Sequence, residues 1–465
     1  MVSSIEVSRS RQAGEPPLDG VKRYFIWTIG CQMNEAESSK AAAMLSQAGY
    51  VPTQIEDEAD VIIVNSCVVR QAAEDKVAGK VGALARVKRQ RPETRIALTG
   101  CMVTGQEQQL AERFPHVDLF YEPSEFDRLV EIAPELREVD MDLADLPHYY
   151  AEGSGNPEVT AFIPIIYGCN FVCSYCIVPY RRGREVSRPL ADIVAEVERL
   201  GRRGVKEVTL LGQTVNAYGH DLPGHTDLAD LLEAVNDVDG IERIRFLTSH
   251  PKYMSDRIID AVGRLPKLCE HINLPIQAGD DDVLRRMRRT YTVGYYRERI
   301  DYIRRTIPGV TLATDIIVGF PGETEEQFGH TLELLADLKF DKVHVAMYSP
   351  RPRTLSSRWA DEIPAGEKKR RHRAVEKLQR DLLTERNRAN VGKTFEVLVD
   401  GSSRGRWRGR TRGNNLVFFE QDGNPTGQLV NLRITESTPW YMLGERLNRG
   451  EPAETEPLAA AGEGR

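Results

Sequence analysis

The 465-residue sequence predicts an α/β protein in three parts: an N-terminal doubly wound parallel sheet, a central incomplete (β/α)6 barrel and a small β-rich C-terminal module. Three observations carry this. Short apolar, β-branched runs alternate with helical stretches as far as Met347, the pattern of parallel strands joined by crossover helices. Cysteines stand directly after several of those strands, at the edge where such sheets bind ligands. Beyond a long basic helix the helical spacing gives way to strand-like runs.

A chain this long exceeds one ordinary core and implies several domains. With 41% hydrophobic and 28% charged residues it has a globular composition, and no apolar run approaches a membrane span. Residues 1–20 carry Gly14, Pro16, Pro17 and Gly20 and no hydrophobic h-region. They are expected to be a disordered extension without a secretory signal, which places the protein in the cytoplasm, where thiols stay reduced. The net charge of −7 argues against nucleic acid only as an average, because binding follows local charge. Seven cysteines, an odd number with wide gaps, make a poor disulfide framework and a better set of metal ligands.

In the N-terminal part (21–140), Arg23–Ile29 reads as a buried strand followed by Gly30-Cys31. Asn34 with Glu37 reads as a capping box opening a helix that Gly49 ends. Asp60–Asn65 is the next strand, followed by Cys67 and a helix from Gln71 to Arg89. Arg95–Thr99 is the third, followed by Gly100-Cys101 and a helix through Gln106 to Arg113. A doubly wound topology brings Cys31, Cys67 and Cys101 to one sheet edge. A single such cysteine would be read as core packing. Three at the same structural position point to an iron–sulfur cluster, with no fourth cysteine placed to serve it. The acidic, then Gly/Ser/Pro-rich stretch 141–159 reads as a linker.

The central part (160–386) offers strands at Ala161–Ile166, Glu207–Leu211, Arg243–Leu247, His271–Leu274, Thr311–Val318 and Lys342–Met347, with helices such as Leu190–Arg203 and Glu323–Leu338 between them. Barrel sites lie on the loops after strands. After the first strand comes Cys169-x3-Cys173-x2-Cys176. Zinc normally takes four protein ligands, so a zinc loop would have to borrow one from elsewhere. Three thiolates on a four-iron cubane leave one iron open to a small molecule. Other strand ends carry Gly212-Gln213, Ser249-His250, Gln277 and Gly319, where glycine admits a ligand to the backbone and polar side chains bind it. Ordinary barrel turns are the alternative at these positions. His250 and His271 read as hydrogen-bonded structural residues, and Cys269 as core.

The C-terminal part (387–450) follows a basic helix, Ala365–Asn390, whose Val375, Leu378 and Leu382 form one apolar stripe. Thr394–Asp400 reads as a strand. Arg404, Arg406, Arg408, Arg410 and Arg412 alternate with other residues, so a strand through them would place all five on one face. Such a face suits phosphates, with Trp407 or Tyr441 to stack a base; a solubility face is the alternative. The acidic stretch 451–465 reads as a disordered tail.

Taken together, Gly30-Cys31-Gln32-Met33-Asn34, Asn65-Ser66-Cys67, Gly100-Cys101, Gly168-Cys169 through Cys176-Ile177-Val178-Pro179-Tyr180, Arg182-Gly183, Leu211-Gly212-Gln213 and Thr248-Ser249-His250-Pro251 resemble the MiaB-type tRNA methylthiotransferases of the radical S-adenosylmethionine (SAM) superfamily. The resemblance spans about residues 22–450. It implies a methylthiotransferase domain, a radical SAM core and a TRAM RNA-binding β-barrel. It further implies a SAM-binding [4Fe-4S] cluster on Cys169, Cys173 and Cys176, and an auxiliary, sulfur-delivering [4Fe-4S] cluster on Cys31, Cys67 and Cys101. SAM contacts fall on Tyr175, Gly212, Gln213, Ser249, Gln277 and Gly319, and RNA contacts on Arg404 to Arg412. The implied substrate is the isopentenylated adenosine at tRNA position 37, near the anticodon. Sulfur enters at carbon 2 and a second SAM gives the methyl group. An electron donor such as flavodoxin or ferredoxin is implied, with the sulfur donor unspecified and a monomeric enzyme expected. Ala278, Thr214, Asn273 and Arg353 depart from the commonest family pattern. Sister activities on threonylcarbamoyl-adenosine or a ribosomal-protein aspartate share the architecture, and a non-catalytic iron–sulfur RNA-binding redox sensor is the alternative of another class.

Overall fold

The computed structural model describes residues 20–138 and 159–447. Apart from Gly20 and Val159, the expected extension 1–20, linker 141–159 and tail 451–465 lie outside the described residues.

The N-terminal sheet is parallel throughout. Its strands, in spatial order, are Val51–Pro52, Arg23–Thr28, Val61–Ser66, Arg95–Gly100 and Leu119–Phe120. The central strand Val61–Ser66 is buried along its whole length, as a sheet covered on both faces requires. Helices Gln32–Gln47 and Gln71–Gln90 cover it, the latter through Val77, Val81, Leu84 and Val87. The helix after the first strand starts at Gln32, with Cys31 as its cap residue, so the expected Asn34/Glu37 capping box does not form. Asn34 lies inside the first turn, its N–H already bonded to Cys31 O, and its side chain is free for longer-range work.

Six parallel strands then follow in order: Thr160–Pro164, Glu207–Leu211, Arg243–Phe246, His271–Asn273, Thr311–Val318 and Lys342–Met347. They form two three-stranded sheets joined by a bridge between Ile244 and Leu268. Each is separated from the next by at least one helix, and one large apolar core binds strands to helices. No bond links the first and last strands, so the barrel is incomplete.

Helix Ala365–Arg388 packs on the last strands and leads into a closed five-stranded barrel: Thr394–Ser403, Arg406–Thr411, Leu416–Phe419, Met442–Arg446 and Leu429–Ser437. The helix buries Lys368, Arg371, Val375, Gln379 and Leu383, so Leu378 and Leu382 of the expected stripe are only half-buried. The buried cations are paired: Arg371 Nη1 donates to Glu323 Oε2 at 2.8 Å, and Lys368 bonds Asp361 at 2.5 Å.

The small barrel docks under the N-terminal ends of the central strands. Arg243 donates to Arg410 O and Glu396, Arg245 to Thr411 O and Arg412 O, and Thr311 Oγ1 to Gly413 O. The opposite, C-terminal ends of those strands meet the N-terminal domain. There Met33, Ala36 and Leu211 form a small shared core with Phe162, Tyr167 and Leu247.

Candidate functional site

The loop after the first barrel strand is held in shape by its backbone. Gly168 has φ +73°, and a Cβ there would stand 2.0 Å from Arg184 O, so the turn into Cys169 requires glycine. Cys169 N–H bonds Gly183 O, Ser174 N–H bonds Met287 O, and Ser174 Oγ donates to Arg286 O. Cys169, Cys173 and Cys176 are therefore presented from a fixed loop at the strand ends. Cys169 Sγ lies 3.3 Å from Thr214 Oγ1, and Arg289 Nη1 points at Cys173 Sγ from 3.5 Å. Arg289 is fixed by bonds to Tyr291 Oη and Pro275 O. Burial pushes the Cys176 thiol up to about 12, and the neighbouring Cys173 adds to it.

The second triad is assembled by topology. Cys31, Cys67 and Cys101 each follow a strand of the N-terminal sheet. Gly100 makes the close approach there: φ is +92°, and a Cβ would stand 2.3 Å from Ser66 O. Burial pushes the Cys67 thiol up to about 12, with Cys31 and Cys101 adding to it. Asn34 ties two of the three strand ends together. Its Nδ2 donates to Asn65 Oδ1 and Ser66 O, and its Oδ1 accepts from Cys31 Sγ at 3.4 Å.

One cavity of about 1120 Å³ runs between the domains, lined by Cys31 and Cys67 of one triad and by all three cysteines of the other. Cys101 lies behind the lining. Among the described residues no group of His, Cys, Asp or Glu side chains is gathered for a single metal ion.

The rest of the lining fits a polar ligand. Gln213 Oε1 and Ser249 Oγ are buried without a partner. His250 Nδ1 accepts from Lys252 N–H, which leaves the proton on Nε2, and that atom too is buried without a partner. Burial pushes His250 down to about 2, so it is a neutral donor at physiological pH. Three orphaned polar groups on one wall are expensive unless a ligand satisfies them. Thr248 and Gln277 adopt φ of +68° and +80° on the same wall, strain of the kind that gathers at binding sites.

Of the expected SAM contacts, Tyr175, Gly212, Gln213, Ser249 and Gln277 line the cavity. Gly319 does not. Its N–H bonds Glu323, and a Cβ there would strike the Lys368 side chain at 2.5 Å, so it serves the packing of helix Ala365–Arg388. Three positions that depart from the family pattern are also placed. Thr214 touches Cys169, Asn273 accepts from Thr248 N–H, and Arg353 lies over the Tyr180 ring at 5.4 Å.

The arginine stretch differs from expectation. Only Arg406–Thr411 is a strand; Arg404 and Gly405 form a turn at positive φ. Arg408 pairs with Asp400, Arg410 bonds Asn414, and Arg412 pairs with Glu270 of the central domain. These three are committed within the protein. Trp407 bonds Gln421 O and packs on the small core, whereas Trp440 and Tyr441 are exposed. His250 lies at the cavity rather than in a purely structural place, and His271 Nδ1 is buried without a partner. Sequence reasoning gave no role to Arg182, Arg289 and Arg351. The contacts that matter, Cys101 and Glu37 for Arg182, Cys173 for Arg289 and Glu74 for Arg351, lie far away in the chain, so no local spacing could have found them.

Comparison with known proteins agrees with this construction. The Radical SAM superfamily matches residues 163–379, the uncharacterized protein family UPF0004 matches 23–122, and the TRAM domain matches 388–447. A protein of Chloroflexus aurantiacus named tRNA-2-methylthio-N(6)-dimethylallyladenosine synthase is 50% identical, covering 91% of each chain. One of the same name from Herpetosiphon aurantiacus is 48% identical over 91% of this chain and 97% of its own. Among solved structures, the radical SAM methyltransferase TsrM of Kitasatospora setae aligns with a TM-score of 0.52 at 15% identity, covering 72% of this chain and 77% of its own, a likeness of fold.

Proposed function

The chain belongs to the tRNA-2-methylthio-N6-dimethylallyladenosine synthases, radical SAM methylthiotransferases, and we propose that its two cysteine triads divide the reaction between them. The observation that carries this division is the single cavity onto which both triads open. When bound, two [4Fe-4S] clusters and SAM supply the radical, the sulfur and, from a second SAM, the methyl group needed at an aromatic carbon whose C–H has no useful acidity.

The protein's own residues hold and orient. Cys169, Cys173 and Cys176 hold one cluster with an iron left for SAM. Gln213, Ser249 and the His250 Nε2–H offer the orphaned polar groups that SAM satisfies. Cys31, Cys67 and Cys101 hold the sulfur-delivering cluster. The walls formed by Phe162, Leu211, Leu247 and Ile317 exclude water from the space between them. The C-terminal barrel carries the tRNA contact, to which Arg404 and Arg406, exposed at its surface, contribute. The exposed Arg406–Glu420 pair is worth little and yields readily to a phosphate. An electron donor of the flavodoxin or ferredoxin class completes the system, in the cytoplasm and with the enzyme as a monomer. No helix among the described residues is long and apolar enough to cross a membrane.

Two triple variants test the division. Replacing Cys169, Cys173 and Cys176 by Ala abolishes both 5′-deoxyadenosine and modified nucleoside. Replacing Cys31, Cys67 and Cys101 by Ala keeps 5′-deoxyadenosine and loses the methylthiolated product. Product from the second variant would sink the sulfur-delivery role. A redox sensor would form no 5′-deoxyadenosine even as the native protein.

A further inference from the structure

Arg182 belongs to the central domain but ends in the N-terminal one. It closes the short helix Val178–Arg182, six residues after Cys176. Its side chain crosses the domain boundary and is 5% exposed. Nε donates to Cys101 Sγ at 3.2 Å, Nη2 donates to Asn34 Oδ1 at 3.1 Å, and both Nη atoms bond the Glu37 carboxylate. Asn34 Oδ1 is the same atom that accepts from Cys31 Sγ, and Asn34 Nδ2 bonds Ser66 O, next to Cys67. One guanidinium thus touches Cys101 directly and, through the Asn34 amide, reaches Cys31 Sγ and the backbone beside Cys67. The neighbouring helix explains the sequence pattern: Asn34 and Glu37, spaced like a capping box, instead meet an arginine 145 residues beyond Glu37.

The charges make this placement consequential. Arg182 is a permanent cation, and the buried Glu37 carboxylate it holds balances its charge. Thiols must give up protons to become cluster ligands, and a fixed positive charge beside them lowers that cost. One-electron reduction of a cluster adds negative charge, and cluster potentials follow net charge and hydrogen bonds to sulfur. Partners of this kind orient metal ligands and tune the metal.

We propose that Arg182 is a positioning residue through which the SAM-binding loop orients the auxiliary cluster and sets its reduction potential. The inference rests on the two-cluster reading above. Arg289, aimed at Cys173, occupies the matching place at the other triad, but it comes from its own domain. Only the N-terminal triad borrows its cation, so only its cluster depends on the docked partner loop.

The test uses the full chain with Cys169, Cys173 and Cys176 replaced by Ala, so that only the N-terminal cluster reports. Reconstituted anaerobically, this parent binds about four irons. Reduction is followed by electron paramagnetic resonance while dithionite lowers the potential. Arg182→Gln lowers the potential, with the reduction equilibrium shifted about tenfold, 59 mV for one electron. Glu37→Gln leaves the guanidinium uncompensated and moves the potential the other way. Arg182→Lys stays nearer the parent than Arg182→Gln does. Opposite signs cannot come from lost docking, which both glutamine variants share. Unchanged potentials at full iron content, shifts of the same sign, or iron loss in both Arg182 variants would overturn the proposal. A parent that binds no iron would sink the two-cluster reading and take this inference with it, whereas a loaded parent with unmoved variants would sink the inference alone.

Discussion

The two cysteine triads solve one problem by opposite routes. Cys169, Cys173 and Cys176 lie within eight residues on one loop, whose shape is fixed by Gly168 and by bonds from Ser174. Cys31, Cys67 and Cys101 span 71 residues and meet only because three parallel strands end side by side. The first site takes its three ligands from one loop, which is pinned to Arg286 and Met287 of its own domain. The second needs a folded sheet, and it completes its hydrogen bonding with an arginine from the next domain. Electrostatically they also differ. A histidine forced neutral, two tyrosines and a cavity wall surround the first, and a network of Asn34, Asn65, Ser66 and Glu37 surrounds the second.

The largest effect expected from this contrast is the selective loss of one cluster by adding a single methyl group. Gly168→Ala meets Arg184 O and a positive φ, so it removes the barrel cluster and 5′-deoxyadenosine while the N-terminal cluster stays. Gly100→Ala meets Ser66 O between two strands and removes the N-terminal cluster alone. Iron content falls by about half in each, since each cubane carries four irons. Loss of both clusters from Gly100→Ala would show that the sheet supports the barrel loop as well, and would break the comparison.

How much of this was legible follows the same division. Glu207–Leu211, Thr311–Val318 and Lys342–Met347 fall where their β-branched runs place them, since buried parallel strands read as apolar blocks. Val51–Pro52 and Leu119–Phe120, two residues each, are too short to leave a pattern. The barrel triad was readable from spacing, and the N-terminal triad only after the strands had been ordered. The Asn34/Glu37 pair misled because a capping box and a reach for a distant arginine use the same residue types. Arg408, Arg410 and Arg412 misled for a related reason. Alternation puts Arg408 and Arg410 on one side of the strand, but the Asp400 and Glu270 that engage Arg408 and Arg412 are set by tertiary packing, and the turn after the strand returns Asn414 to Arg410. Gly319 looked like a ligand turn because local sequence does not reveal that Lys368 packs over it.

A smaller effect separates docking from either triad. Arg351, 4% exposed, leaves the loop after the last barrel strand and bonds Gln71 and Glu74 on the N-terminal helix. Arg351→Ala strips a charged hydrogen bond from that interface, worth about 1–3 kcal/mol. Both clusters load, and 5′-deoxyadenosine forms as before. Modified nucleoside per 5′-deoxyadenosine falls, because the two triads no longer share the cavity reliably. An unchanged ratio would mean that Arg182 and the Met33–Leu211 contact suffice for docking.

The smallest effect concerns pH in the cluster-free protein, and it sharpens the contrast between the domains. His250 and His271 in the barrel are pushed by burial down to about 2 and about 3. A depressed pKa means that their stabilising contribution is complete above the unfolded value near 6.5 and is lost progressively as pH falls through the folded value. The slope is at most about 1.4 kcal/mol per pH unit for each. Among residues 20–138 the only histidine is His116, half-buried against Val81 O. Glu135, held at about 2 by bonds from Lys22 and Tyr50, costs the N-terminal domain stability only as pH falls from the ordinary value of 4.5 toward 2. Between pH 7 and 5, therefore, amide protection factors, taken against the intrinsic exchange rate at each pH, should fall in Arg243–Phe246 and His271–Asn273 and stay steady in Val61–Ser66. His250→Gln should flatten part of the response. On the alkaline side the two domains should behave alike, because Cys67 and Cys176 are each raised to about 12 and each loses its contribution as pH climbs from about 9 through that value. Equal acid sensitivity in both sheets would show that the histidines are solvated when the cavity is empty, and that the polar wall at Gln213, Ser249 and His250 takes its form only around its ligand.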